Sequence, residues 1–516
     1  MDDPGRTPPS SRGIGTLSVG ELAGLWAVLV LGLVLRMLGI GWGLPPATPV
    51  VAASGFRGSY APGEGGILGR LAPSGPKPGE REVSSYRRCE TLHLELTWLG
   101  LEFTQRLDFF DGPWGDAYRR MQPGVFERTF MVGRLESGVM DLVTLFLLFL
   151  LGREVGGAPA GLWTAAIAAV APGHLLAASQ IGVDASATAL VTLAALFGVR
   201  LARASTVAFA PWMGLAVGLA VGAKNATSLT VCAVVVLALW PHRKNPRGWY
   251  LAGAALLAGA LIGSISLLTG SQRAAYPTGW TMAGEWASPT MMGEHLVNLA
   301  RFSIGLPAAI IGVWGLWRLT RIDARAGRIF VAALAASVLA LVPQGPALMR
   351  NHLTLAPFVV LGAGYALSGF RPAIQWPLGL LALSFGLAGS LAQVHFMLSP
   401  HSANLALAVV QNSAAPGETI SRVTEDIPPI DKHVHPPGPN PLAGNLAANA
   451  PDWVVMTDLP TTEVSEANRD FLARRYHAIA IFRPERIFGW ATLGETGAPP
   501  DWKYTHPTIT LYRQKR

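Results

Sequence analysis

The sequence predicts an all-α polytopic membrane bundle of about eleven transmembrane helices, followed by a small α/β domain on the outer side of the membrane. Composition comes first: half of the 516 residues are hydrophobic and only 14% are charged, against about a quarter in ordinary soluble domains. The mean hydropathy of +0.36 agrees. Apolar runs of spanning length then recur as far as residue 398 and stop; a hydrocarbon core of about 30 Å takes about 20 residues at 1.5 Å each. The formal charge of +8 is modest and scattered, so it gives no ground for a nucleic-acid partner. Cys89 in a polar loop and Cys232 in an apolar run are not expected to bridge.

Residues 1–19, rich in Pro, Ser and Gly, read as a disordered cytoplasmic tail. The run ELAGLWAVLVLGLVLRMLGI exceeds the 7 to 15 apolar residues of a signal peptide. It is therefore an uncleaved first span, and it opens a membrane domain over residues 20–400. A long loop over 42–132 follows, carrying SYAPGEGGIL and then TLHLELTWLGLEFTQRL, whose helical spacing of apolar residues predicts an amphipathic helix on the membrane surface. Further spans are expected near 133–151, 159–179, 184–202, 205–223, 225–240, 248–269, 296–317, 328–342, 351–370 and 373–398.

Orientation follows from the excess of Lys and Arg in short cytoplasmic loops. With the N-terminus cytoplasmic, the inner loops hold Arg153, Arg200, Arg203, Arg243, Lys244, Arg318 and Arg325 among others. The short outer loops hold only Lys224, Arg273 and Arg350. The long first loop and the C-terminal region then lie outside a cell (inner) membrane. Over residues 401–516 the β-type runs ETISRV, DWVVMT, YHAIAIF and TITLYR surround one helical stretch, SEANRDFLARR, and a Pro-rich linker from Ile427 to Pro441.

This topology sorts the ionisable residues. Charge at a helix centre costs about 2.5–3.5 kcal/mol on insertion scales, so such groups line polar cavities or sit at helix ends. Arg36, Glu64, Arg134, Asp184, Lys224, Arg273, Glu294 and Arg350 all fall at or beyond the outer surface. Each alone is accounted for by snorkelling or capping; together they converge on one face, while orientation is already satisfied by the inner charges. Arg134 and Asp141 lie seven residues apart on one helix face and are expected to pair inside the bundle, with Arg36 a second partner for Asp141. The acids of DFFDGPWGD read as turn chemistry, and His433 with His435 does not make a zinc site.

From GRLESGVMDLVTLFLLFLLGREVGG through AGLWTAAIAAVAPGHLLAASQIGVDASATALVTLAALF to GLAVGLAVGAKNATSLTV, the chain resembles the GT-C glycosyltransferases. More narrowly, it resembles the bacterial relatives of protein mannosyltransferases and of the lipid A aminoarabinose transferase. GIGWGLP, RNHLTLAPFVVLGAGYAL and the ending HPTITLYR carry the likeness further.

The resemblance implies transfer of a sugar from a polyprenyl-phosphate carrier to a glycan, lipid or protein acceptor outside the membrane. An acceptor hydroxyl that loses its proton needs a carboxylate base, and a departing lipid phosphate needs fixed cations. The family's Asp-Glu pair falls on YAPGEGGIL, where Gly63 takes the Asp position and Glu64 remains as the base. The incomplete pair argues against a divalent metal held by two acids. Lys224 and Arg350 match positions facing the carrier phosphate, Asp184 matches an acid near the sugar cavity, and Arg36 joins this binding set. The rival readings are a non-catalytic relative that binds or assembles lipid-linked glycans, and a transporter. The chain shows no internal repeat of the kind transporters carry.

Overall fold

The structure, a computed structural model, describes residues 17–44, 64–72, 91–119, 122, 124–263, 289–341, 348–415, 417–422, 450–458, 466–483, 485, 487–493 and 498–515. Gly63, Cys89, Arg273, His433, His435 and the Pro-rich linker lie outside these residues. The described chain is mostly helical and ends in a small mixed sheet. Five of its helices are long and apolar enough to cross a membrane, and a sixth span is made if one bent pair counts as one; three shorter apolar helices accompany them.

Helix α1, Val19–Leu38, begins at a capping box in which Ser18 and Glu21 satisfy each other's backbone N–H groups. Three short helices of the first loop follow: α2 (Glu64–Leu71), α3 (Thr91–Arg106) and α4 (Trp114–Arg119). Of the acids in the DFFDGPWGD segment, Asp108 sits in a turn at φ 56°, and Gly112 takes φ 109°. Asp111 meets Arg128 at 3.1 Å, and Asp116 lies in the first turn of α4.

The expected spans at 133–151 and 159–179 form two arms that fold back on each other at a single residue. Helix α5, Val125–Ala169, reverses at Gly157, whose φ of 80° and ψ of −178° are open essentially to glycine alone. The two arms touch through small residues, for a Cβ on Gly152 would lie 2.8 Å from the Gly161 Cα. The second arm stops at Ala169, and a short α6, Pro172–Ala178, continues beyond a break.

Helices α7 (Val183–Arg203), α8 (Ala210–Ala223), α9 (Ser228–Leu239) and α10 (Pro246–Gly263) come next. The single span expected at 296–317 is broken. Helix α11, Pro289–Asn298, runs into a π-helical turn at Leu299–Ile304, and the chain bends by 112° into α12, Leu306–Ile322. Gly305 makes the bend at φ 99°, which a side chain would resist. Helices α13 (Ala324–Leu341), α14 (Met349–His352), α15 (Ala356–Ser368), α16 (Pro372–Leu398) and α17 (Ser402–Ser413) complete the helical part.

At one end of the bundle Arg203 bonds Asp323 and the Glu154 carbonyl, and Arg200 meets Glu154 at 3.3 Å. The loop helices α2–α4 and the terminal sheet gather at the other end. That sheet orders its strands β1-β2-β4-β3, with β1 at Ile420–Arg422, β2 at Trp453–Thr457, β3 at Tyr476–Phe482 and β4 at Ile509–Gln514. β1 runs parallel to β2, and β4 runs antiparallel to β2 and β3, with Val455 opposite Leu511. Alternation along β2 gives each face a helix: Trp453 and Val455 pack with Ala406 and Val410 of α17, and Val454 packs with Leu472 of α18, Glu466–Arg475.

A short α19, Pro500–Lys503, joins this domain to the bundle. Asp501 accepts the backbone N–H groups of Met349 and Arg350 at 2.8 and 3.0 Å, and Trp502 packs edge-on against Phe302 at 5.1 Å. Burial holds the Asp501 carboxyl above its ordinary value, against the pull of those two N–H groups and of the Arg350 charge.

Candidate active site

Glu64 opens α2 and is buried at 1% exposure. Its Oε1 and Oε2 accept from Nε and a terminal nitrogen of Arg134 at 3.0 and 2.6 Å, a two-point clamp. The same Oε1 accepts the Ile181 backbone N–H at 2.7 Å. Arg134 also donates to the Ile40 and Trp42 carbonyls at 2.9 and 2.6 Å, and its guanidinium lies over the Trp42 ring. Thus Arg134 fastens the exit of α1 and the start of α2, and Glu64 in turn holds the loop before α7.

The expected Arg134–Asp141 pair is not made. Seven residues are about 10.5 Å along a helix axis, and each side chain finds a nearer partner on another element. Asp141 takes the alternative partner, Arg36, through a tight ion pair and a 2.6 Å bond from Nε. It also bonds His174 Nδ1 at 2.6 Å. Arg36, expected among the binding residues, turns inward instead: it is 1% exposed and donates to the Gly32 and Ala169 carbonyls.

Asp184 and Lys224 come together. Asp184 lies in the first turn of α7, and Lys224 follows α8 where an extended residue precedes a 3-10 turn. Lys224 Nζ donates to Asp184 Oδ1 at 2.6 Å, with both side chains about a tenth exposed. Arg350 is half-buried in α14 beside Asp501. Glu294 is exposed on α11.

Several polar residues here escape a reading by span position. Glu136, two residues past Arg134, accepts Ser186 Oγ at 3.0 Å and meets His93 Nδ1 at 3.0 Å. His295 Nδ1 and His352 Nε2 lie 2.8 Å apart, both buried. An acid inside an apolar run was a signal for Glu136, as it was for Asp141. Nothing local pairs His93 with Glu136 or His295 with His352, because those partners are far apart in the chain.

A metal fits the Glu64 site poorly, since both carboxylate oxygens already face a guanidinium whose charge would repel a cation. Among the described residues no group of three or more His, Cys, Asp or Glu is arranged to hold one. Glu64 is thus a buried, clamped carboxylate, and Lys224 an ammonium paired with Asp184.

A model of the dolichyl-phosphate-mannose-protein mannosyltransferase family matches residues 120–265. A search of curated protein sequences finds no match. Among solved structures, ArnT from Cupriavidus metallidurans bound to undecaprenyl phosphate aligns over 96% of this chain and 98% of its own, at 14% identity and a TM-score of 0.51. The same protein in the apo state aligns over 95% and 98%, at 14% identity and a TM-score of 0.48. The Archaeoglobus fulgidus oligosaccharyltransferase in complex with Zn and sulfate aligns over 95% of this chain and 75% of its own, at 13% identity and a TM-score of 0.47.

Proposed function

We propose, from the GT-C glycosyltransferase fold that this multi-pass chain carries, that it moves a sugar from a polyprenyl-phosphate carrier to an acceptor hydroxyl outside the membrane. Lys224 carries the reading: a cation held by Asp184 at 2.6 Å where two short apolar helices break, in a polar group to which Glu64 also belongs through the loop before α7. The acceptor oxygen attacks the anomeric carbon as the bond from that carbon to the carrier phosphate oxygen breaks, with inversion. The electron pair leaves with the phosphate, whose growing charge Lys224 and Arg350 offset. The acceptor proton passes to Glu64, which Arg134 and the Ile181 N–H hold in place. Asp184 orients Lys224 beside the sugar.

The test compares cell-envelope glycans by mass spectrometry with and without the protein, and with Glu64→Gln in its place. Wild type restores a glycan that Glu64→Gln does not, at equal membrane abundance; restoration by Glu64→Gln removes the base assignment.

One observation favours a second reading. Both Glu64 oxygens are bonded to Arg134, so Glu64 would serve as a strut that fixes the first loop in a relative that binds lipid-linked glycan without transferring it. No envelope glycan would then depend on the protein, although purified protein would still bind the carrier.

A further inference from the structure

Residues 487–493 of the C-terminal domain stand apart from its sheet and lie against the membrane bundle. The Trp490 ring meets Phe385 of α16 edge-on at 5.1 Å, and Phe488 meets Trp490 at 6.4 Å. Phe385 is the midpoint of a 27-residue helix, so it lies about 20 Å from either end. Elsewhere the C-terminal domain meets α16 in its last turns, where Thr505 Oγ1 bonds Gln393 at 3.0 Å, so residues 487–493 reach about two turns further along the flank of a candidate span.

The exposed side chains of this segment are apolar. Phe488, Trp490 and Leu493 are 41%, 53% and 59% exposed, while Ala491 and Thr492 face inward. Their outward face continues that of α16, where Leu381, one turn from Phe385 on the same face, is also exposed.

Irregular backbone is costly at membrane depth unless its polar groups have partners. Here they do. The Phe488 carbonyl accepts from Ala491 N–H at 2.9 Å, and the Trp490 carbonyl from Leu493 N–H at 3.2 Å. The Gly489 carbonyl accepts Thr492 Oγ1 at 3.3 Å. Arg301, on the π-helical turn, donates to the Thr492 carbonyl at 2.9 and 3.0 Å and to the Leu493 carbonyl at 3.4 Å. Phe488 and Leu493 hold φ of 53° and 56°, conformations that cost about 1 kcal/mol or more for such residues and persist where the surroundings fix them.

We propose that residues 487–493 are a lipid-inserted anchor, with the rings of Phe488 and Trp490 and the Leu493 side chain in the leaflet on the side of the C-terminal domain. The occupant is bilayer lipid, because the face is continuous with the exposed apolar flank of a spanning helix, and Trp belongs where an apolar body meets a polar boundary. The anchor restrains the domain that holds Met349 and Arg350 through Asp501.

The experiment places a nitroxide label at Trp490→Cys and, separately, at Leu493→Cys, in full-length protein with Cys89→Ser and Cys232→Ser, reconstituted in phosphatidylcholine–phosphatidylglycerol nanodiscs. Leu380→Cys on the exposed flank of α16 is the lipid reference, and Asp470→Cys on exposed α18 is the water reference. The expected oxygen-to-nickel-chelate collision ratio at 490 and 493 matches that at 380 and exceeds that at 470 several-fold. A ratio like that at 470 overturns the anchor. Low collision with both reagents indicates a protein-covered face and overturns it as well.

Discussion

Arg36 and Arg134 are both buried and both paired with a carboxylate, yet they serve different parts of the molecule. The partners of Arg36 all belong to the helical bundle: Asp141 on α5, the Gly32 carbonyl on α1 and the Ala169 carbonyl where α5 ends. The partners of Arg134 are the Ile40 and Trp42 carbonyls and Glu64, all in or entering the first loop. One ion pair closes the bundle around a helix break; the other ties the loop to the bundle. The same chemistry is thus a brace in one place and a support for proposed catalysis in the other.

The contrast is broken most directly through the brace. Asp141→Ala leaves Arg36 buried without its carboxylate and is expected to cost about 3–5 kcal/mol, read as a large fall in Tm in detergent or lipid. An unchanged Tm would show that Arg36 needs no partner there. Glu64→Gln keeps hydrogen-bonding groups against Arg134 and is expected to lose transfer while the protein stays folded. If transfer only tracks the folded fraction, the two arginines do the same job.

Lys224→Met sharpens the comparison from the substrate side. Losing charge-assisted bonds worth about 1.5–3 kcal/mol should raise the KM for a polyprenyl-phosphate-linked donor by about tenfold or more, and an unaltered KM would place the carrier phosphate elsewhere.

Glu418 offers a carboxylate outside the membrane for contrast. Hydrogen bonds from the Trp453 indole, then from the Ala415 backbone N–H and from Arg513, hold it at about 2, below its ordinary 4.5. Because its folded value is lowered, its stabilising effect is complete above pH 4.5 and fades as pH falls toward 2. Near-ultraviolet circular dichroism of the terminal domain should lose signal across that window, and Glu418→Gln should remove this contribution. The smallest effect is expected at the start of α1, where Ser18→Ala removes a cap worth about 1 kcal/mol and should lower Tm slightly without touching transfer.

Much of the fold was legible. The four strands and the helix Glu466–Arg475 fall where the sequence pattern places them, with strands at Ile420–Arg422, Trp453–Thr457, Tyr476–Phe482 and Ile509–Gln514, whereas α17, which covers the other face of that sheet, was not expected. The ends of α1, α7 and α16 follow their apolar runs. Less of the site was. Asp184, Lys224, Glu64 and Arg134 could be assigned to one level, but not the pairing of Glu64 with Arg134, nor that of Glu136 with Ser186 and His93.

By itself, then, the sequence determined the membrane class and the positions of most helices and strands, because hydropathy and periodicity are local quantities. Tertiary structure alone decided that Gly305 bends the run expected as a single span, and which carboxylate each arginine holds. Position along a helix is written in its residues. Rotation about its axis, and the neighbour it faces, are set by packing among segments as far apart in the chain as Arg36 and Asp141 or Glu64 and Arg134.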